Sequence, residues 1–342
     1  MRPVEYSTDR RMSTPLTVIG GTAGAGKTTV IRHLLEYSTH CRIVAIVRDL
    51  DPLLADGATG ARRNGSVVAW PNGCRAIASD DPTATLAVLK RDGPNAEHVV
   101  VEADGATHPR RAGGYAYMPG YRPNGMVTIV DASTAATLET LDTFTTRIQP
   151  ALQAADLVVL NKLDAAGQEA TAAAQRAISS WAPSARFLWC RQGRIAPPLI
   201  VGVSGEASGD DPRVVAEWRA DYIPVRSERK SMIGEQCRSW CLVSDERADA
   251  RQFRGWVARL PASIMRGDGV VFLREEPQHR HEFMLLGSRW TLERGAPWGN
   301  ETPVTRIMLV GIGTRKNDED ARDTTAASER MVFDESPQQL VL

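Results

Sequence analysis

Leu16-Thr17-Val18-Ile19-Gly20-Gly21-Thr22-Ala23-Gly24-Ala25-Gly26-Lys27-Thr28-Thr29-Val30 decides the fold. The first five residues form a short aliphatic run, too brief for a buried helix, and predict a strand. Gly21 through Thr28 then satisfies the spacing G-x-x-x-x-G-K-S/T, and the stretch TTVIRHLLE that begins at Thr28 spaces its apolar residues as an amphipathic helix does. Strand, glycine turn and helix in that order form a cradle for phosphate. Without Cβ atoms the turn can wrap closely, so that successive backbone N–H groups point at a phosphate lying on the positive end of the helix. Lys27 reaches the β- and γ-phosphates, and the Thr28 hydroxyl ligates Mg2+. The nucleotide-binding set starts with Gly21, Thr22, Ala23, Gly24, Ala25, Gly26, Lys27, Thr28 and Thr29, and Lys27 and Thr28 are also expected to act in catalysis.

Outward from this stretch, short apolar runs alternate with helical stretches. RIVAIV (42–47), SVVAW (66–70), HVVVE (98–102), MVTIV (126–130) and DLVVL (156–160) predict strands. Residues 83–90, 134–154 with a break near Pro150, and 167–180 predict helices, and 186–190 a last strand. Continuous apolar strands alternating with helices imply a parallel sheet covered on both faces. The fold class is α/β: a mostly parallel P-loop NTPase sheet with helices on both faces, plus a smaller α+β C-terminal domain. The expected organisation is a flexible N-terminus over 1–14, the nucleotide domain over 15–205, a linker over 206–235 that starts within the Gly/Ser/Asp-rich stretch 204–211, the smaller domain over 236–314 and a disordered acidic tail over 315–342. Within the smaller domain, 252–260 predicts a helix and 269–273, 282–286 and 306–310 predict strands.

A second motif, Asn161-Lys162-Leu163-Asp164, directly follows DLVVL. An N-K-x-D turn at a strand end, downstream of a phosphate loop, selects guanine. The carboxylate accepts from N1–H and from the exocyclic amine, a pair that adenine does not offer, and an unfilled polar site rejects the wrong base strongly. Asn161, Lys162 and Asp164 join the nucleotide set on this ground. A third element is Glu102-Ala103-Asp104-Gly105. A strand end beside the phosphates should present a carboxylate to Mg2+ or its waters, here Glu102 or Asp104, with Glu102 also expected to act in catalysis, and then a glycine, Gly105, whose N–H senses the γ-phosphate. Asp49, at the end of RIVAIV, is a further Mg2+ candidate. Arg110 and Arg111 lie just beyond the switch turn, where an arginine can stabilise transition-state charge.

Composition narrows the partners. Among 342 residues, 41 basic and 41 acidic side chains cancel, which argues against a general nucleic-acid binder. Only five of the basic residues are lysine, and two of those, Lys27 and Lys162, sit in the two nucleotide motifs. The absence of a long apolar run argues against a membrane span, and a charged N-terminus against a secretory signal. Five cysteines, an odd and small number, suit reduced thiols in a cytoplasm rather than a disulfide scaffold.

These motifs together resemble the CobW-like family of P-loop GTPases, in which E-x-x-G stands where most GTPases have D-x-x-G. Here that is Glu102 through Gly105, and the resemblance continues through Val130-Asp131-Ala132 and Asn161–Asp164. Residues 253–269, Ala296-Pro297-Trp298 and 307–313 are similar to the family's small C-terminal domain. The resemblance implies a GTPase that delivers zinc, cobalt or iron to a client metalloenzyme or its assembly factor. No residue reads as a general base for water, so hydrolysis is expected to be slow until a partner or a nucleotide-dependent homodimer completes the site. The alternative is a GTPase switch or assembly factor without metal cargo. The family carries Cys-x-Cys-Cys where this chain has Cys74-Arg75-Ala76-Ile77 after Asn72-Gly73, so Cys74 is the one thiolate left for a cargo metal. One thiolate falls short of the four ligands that zinc takes. Other ligand candidates are His279 with His281, and Cys237 with Cys241.

Overall fold

The computed structural model describes residues 13–39, 41–54, 60–93, 95–103, 107–141, 144–202 and 236–313. Asp104, Gly105, the 206–235 linker, the 315–342 tail and the side chains of Cys237 and Cys241 lie outside the described residues. The chain divides into two compact units, Met1–Glu206 with Leu286–Arg289, and Ala207–Leu285 with Trp290–Leu342.

In the first unit the chain runs β1 (Thr14–Gly21), α1 (Lys27–Tyr37), β2 (Ile43–Val47), α2 (Asp51–Leu54), β3 (Arg62–Asn64), β4 (Val67–Ala69), β5 (Arg75–Ala78), α3 (Pro82–Asp92) and β6 (His98–Glu102). It continues through α4 (Pro109–Gly114), β7 (Tyr121–Asp131), α5 (Gln149–Gln153), β8 (Leu157–Asn161), α6 (Leu163–Trp181), β9 (Arg186–Trp189) and α7 (Pro198–Val201). Nine strands form one sheet in the order β3-β4-β5-β2-β6-β1-β7-β8-β9. From β5 to β9 every neighbouring pair is parallel, while β3-β4 and β4-β5 are antiparallel at one edge. The α/β sheet expected from alternating apolar runs is therefore present.

Both faces are covered, as the continuous apolar strands require. Leu16, Val18, Val44, Ile46, Val99 and Val101 pack with Leu86 and Leu89 of α3. Helix α1 buries Val30, Ile31, Leu34 and Leu35, which at about 2 kcal/mol each make it a firm mount for the turn before it. Polar groups inside the sheet are paired: Asn124 Nδ2 donates to Thr17 Oγ1 at 2.7 Å, and that hydroxyl lies 2.8 Å from His98 Nε2.

Two expectations change. Residues 134–154 do not form one helix; they form a 3-10 turn over Ala135–Thr140, a π turn over Phe144–Ile148 and then α5. Threonine hydroxyls compete with the helical ladder here, since Thr137 Oγ1 donates to Thr134 O (2.9 Å) and Thr140 Oγ1 to Thr137 O (2.7 Å). Residues 75–78, to which the sequence reading assigned no strand, form β5 beside β2.

The second unit runs β10 (Gln236–Ser244), α8 (Ala250–Ala258), β11 (Ile264–Phe272), β12 (His279–Leu286), β13 (Arg289–Pro297) and β14 (Thr305–Gly313), in a sheet ordered β10-β14-β11-β12-β13. Strands β10 and β11 run antiparallel to β14. Phe253, Trp256 and Val257 of α8 cover the sheet, with the Phe253 and Phe283 rings edge to face at 5.4 Å. Asp249 caps α8 by accepting from Arg251 N and Gln252 N, which fixes where that helix starts. The flanks of Cys237 and Cys241, Trp240, Leu242 and Val243, read as strand-like and fall in β10, whereas β13 had no counterpart in the sequence reading. Charged Arg289, Glu293 and Arg294 interrupt any apolar run in β13.

Candidate functional site

Parallel strands deliver their carboxyl ends to one edge, and the motif residues gather there. Register places Glu102 beside Ile19, Gly21 beside Ile129, and Asp131 beside Asn161. The glycines of the phosphate loop are set by what surrounds them. A Cβ on Gly21 (φ 142°) would lie 2.1 Å from the Ile129 carbonyl oxygen, and one on Gly26 (φ 96°) 2.3 Å from the Asn161 amide nitrogen. Gly26 is also the N-cap of α1 and offers the first helical turn no side chain, so its N–H groups remain for an anion. Lys27 Nζ donates to Gly21 O (3.2 Å) and Thr22 O (3.0 Å), which folds the ammonium back over its own loop.

The Thr28 hydroxyl donates to Glu102 Oε1 at 2.8 Å. A hydroxyl and a carboxylate so placed, on the first turn of α1 and the end of β6, are the hard oxygen donors that Mg2+ prefers, with room left for waters and phosphate. The residues thus fit the ion. Asp49 is exposed after β2, and its Oδ1 accepts from Asp51 N (2.9 Å), so this carboxylate caps α2.

The turn after β8 is held from several sides. Asn161 is buried; its Nδ2 donates to Ala25 O of the phosphate loop (2.9 Å), while its Oδ1 accepts from Gly193 N (3.0 Å) and from the Cys190 thiol (3.1 Å). Lys162 takes the left-handed conformation (φ 61°) that turns the chain into α6, and its Nζ pairs with Asp131 Oδ2 at 2.8 Å. Burial works against the Asp131 carboxylate, but bonds from Lys162 and Ser133, with the Lys162 charge, outweigh it and lower its pKa. Asp164, in the first turn of α6, is exposed.

Other candidates fall elsewhere. His108 Nδ1 accepts from Arg110 N at 3.2 Å and caps α4, and Arg110 and Arg111 are exposed on that helix. Cys74 precedes β5 at the other edge of the sheet. Arg75 is level, through Val44 and Val99, with Leu16, so Cys74 stands six positions back from Gly21, about 20 Å along the strands. Its thiol has no exposure, accepts from Ile43 N (3.4 Å) and donates to Cys41 O (3.6 Å). Burial pushes its pKa up. Asn72 holds this turn to the C-terminal end of α1, donating to Leu35 O (2.8 Å) and Ser38 O (2.9 Å).

In the second unit an Arg294 guanidinium nitrogen lies 3.0 Å from His279 Nε2, and His281 is buried 3.9 Å from Glu276. A guanidinium against the pair disfavours a cation there. Among the described residues, no three His, Cys, Asp or Glu side chains gather as a metal site, and no helix is long and apolar enough to cross a membrane.

The sequence did not single out Cys190, Gly193 or Asp131 as supports of the turn after β8. Asp131 was visible only as part of Val130-Asp131-Ala132. Cys190 follows β9, and only the pairing of Leu160 with Trp189 reveals that it stands beside Asn161.

Comparison with known proteins agrees with this geometry. Residues 15–188 match the model of the CobW/HypB/UreG nucleotide-binding domain, and residues 237–324 that of the cobalamin synthesis protein CobW C-terminal domain. The zinc chaperone CobW of a Sinorhizobium species is 27% identical over 338 residues, covering 87% of this chain and 92% of the relative. The zinc chaperone YjiA of Escherichia coli K12 is 23% identical over 308 residues, covering 87% and 93%. A crystal structure of Zn(II)-bound YjiA GTPase from E. coli covers 92% of this chain and 98% of its own, with a TM-score of 0.44 and 21% identity.

Proposed function

The chain belongs to the CobW/HypB/UreG family of nucleotide-binding domains, and from that premise we propose that it is a GTP-hydrolysing metallochaperone or metalloenzyme activator. The observation that carries this reading is the Asn161 side chain, which ties the turn bearing Asp164 to the phosphate loop at Ala25. One nucleotide with a guanine at one end and a triphosphate at the other fits both halves of that link.

In this account Asp164 accepts from the guanine edge. The N–H groups of the phosphate loop and of the first turn of α1 bind the phosphates. Lys27 exchanges its two carbonyl partners for phosphate oxygens, which become more negative as the γ-phosphoryl group leaves. Thr28 and Glu102 hold Mg2+, with Asp49 a further candidate, and the ion when bound neutralises charge on the β- and γ-phosphate oxygens. The Gly105 contact to the γ-phosphate expected from the sequence lies outside the described residues. No described side chain stands as a base for water. Turnover is therefore slow until a client or a second copy of the chain completes the site, and the exposed Arg110 and Arg111 of α4 are candidates for such a contact.

Zinc, cobalt or ferrous iron would be the cargo and a client metalloprotein the recipient, which the names of the relatives support. A second reading, a GTPase switch without cargo, is favoured by one observation: the Cys74 thiol is buried and bonded to backbone. Equilibrium dialysis against Zn2+, Co2+ and Fe2+, with Mg2+ and a non-hydrolysable GTP analogue, separates the two. Cargo delivery predicts about one metal ion per chain, lost in Cys74→Ser if that thiol is a ligand. Absence of binding beyond Mg2+ contradicts delivery and leaves the switch.

A further inference from the structure

We propose that the second unit carries a seat for a carboxylate, formed where Arg280 at the start of β12 meets Trp298 just after β13. The nucleotide account gives this end of the sheet no task. Arg280 and Trp298 are each 6% exposed, yet among the described residues neither Arg280 Nε nor Trp298 Nε1 has a hydrogen-bond partner. Both atoms are donors, and buried donors without an acceptor are rare because no water is there to replace one. The Arg280 guanidinium lies over the Trp298 ring, 5.6 Å from its centre. Two orphan donors on side chains in contact point to a ligand that accepts from both.

Another arginine of the same sheet shows what a completed pair looks like. Arg266, 2% exposed, gives Nε to Asp268 Oδ2 at 2.7 Å and Nη2 to Asp268 Oδ1 at 2.9 Å. That side-on pair uses an edge of the guanidinium that matches a planar carboxylate. At Arg280 the same edge is only half used. Its Nη2 has the Pro297 carbonyl at 3.3 Å and Glu301 Oε2 at 3.4 Å, both long for bonds to a charged group, and its Nε has no acceptor. A carboxylate placed side-on would take Nε and Nη2 together, with the indole N–H as a third donor. Glu301, half-exposed, holds that place loosely in the free protein.

The neighbours suit a buried cation. A Cβ on Gly295 of β13 would come 3.0 Å from Arg280 Cγ, so glycine there makes room for the arginine stem. The Phe272 ring stands edge to face with Trp298 at 6.0 Å, and the exposed Arg247 lies 5.6 Å from the centre of the Phe272 ring. Two guanidiniums thus bracket two rings, an arrangement that favours an incoming anion. The turn after β13 closes with Glu301 N donating to Trp298 O at 3.1 Å, and Gly299 and Asn300 within it are exposed. Both orphan donors lie beneath the surface, so the ligand enters as this turn shifts and Glu301 gives up its place.

The test uses the full chain with isotope-labelled tryptophan. Its eight indole N–H signals are followed by NMR while acetate replaces chloride at constant pH and ionic strength. Trp298→Phe keeps a ring and removes the N–H, which identifies the Trp298 signal. That signal should shift with acetate and saturate. Arg280→Lys, which keeps the charge but not the planar edge, should weaken binding at least about tenfold, the factor for one hydrogen bond to a charged group. Glu301→Gln should tighten it, because the competing carboxylate is gone. Glutamate capped at both backbone ends and inorganic phosphate are titrated in the same way. Capped glutamate binding as tightly as acetate assigns the seat to an acidic side chain of a partner protein, and acetate binding alone assigns it to a small free carboxylate. The proposal is overturned if the Trp298 signal does not move or does not saturate, if Arg280→Lys binds as wild type does, if Glu301→Gln binds no more tightly, or if phosphate binds better than acetate. Thermal melts check folding, and should Arg280→Lys fold poorly, Glu301→Gln at its half-exposed position decides.

Discussion

Cys74 and Cys190 are both buried thiols at strand ends of one parallel sheet, and burial raises the pKa of each. They differ in what receives the hydrogen. At the amino edge the Cys74 thiol meets the Cys41 carbonyl, and Asn72 beside it is spent on carbonyls at the end of α1. Those bonds close the ends of elements. At the carboxyl edge the Cys190 thiol meets a side chain, Asn161, which hands its own hydrogen to the phosphate loop. Burial and chemistry alone would not separate the two cysteines. Their position along the strands does, because in an open parallel sheet ligands collect at the carboxyl ends.

The sharpest way to break this contrast is Asn161→Ala. It removes the amide that makes three bonds among buried groups and strands donors and acceptors with no water to replace it. We expect a loss of about 2–4 kcal/mol in unfolding free energy, with GTP binding weakened at least tenfold. Urea melts and nucleotide titration measure both. A stable variant with unaltered GTP affinity would mean that the two turns are not coupled through this residue.

Acid should act on the same edge. His33 of α1 is lowered to about 4 by burial, and next by Arg194, which follows the 190–193 turn, and by Arg32. A histidine whose folded pKa lies below its unfolded value of about 6.5 stabilises the fold at higher pH, and that contribution is lost as pH falls from 6.5 towards 4. Between pH 6.5 and pH 5 the loss is up to about 2 kcal/mol. Urea unfolding at the two values, with His33→Gln as the control that should flatten the slope, checks the prediction. An unchanged slope in the variant would assign the pH dependence elsewhere.

The smallest effect belongs to the amino edge. Cys74→Ala should cost about 1 kcal/mol in stability and change GTP affinity by less than about twofold. A large drop in affinity would erase the distinction between the two ends.

The sequence made the carboxyl edge legible to different depths. Gly21 through Thr28 could be read outright, because consecutive residues carry the whole geometry. Glu102 and Asn161 could be placed because each ends an apolar run, and the sheet then brings Glu102 to Thr28 at 2.8 Å. Lys162 was assigned to the base-reading motif, yet its partner Asp131 emerged only once β7 and β8 were paired. Cys190 had no sequence mark of its own, since its partner lies 29 residues away and one strand over. The long helix expected over 134–154 failed for a local reason, threonine hydroxyls that bond the preceding carbonyls. Strand β5 was missed because four residues, two of them alanine, make no clear apolar run.

The central claim is that this carboxyl edge binds one guanine nucleotide with its base and phosphates read together. Titration of the full chain with GTP in Mg2+, then competition by ATP, tests it most directly. The account predicts one GTP per chain, and ATP failing to displace it at a hundredfold excess, as a site built on hydrogen bonds to the base requires. Displacement by ATP at equal concentration would contradict it.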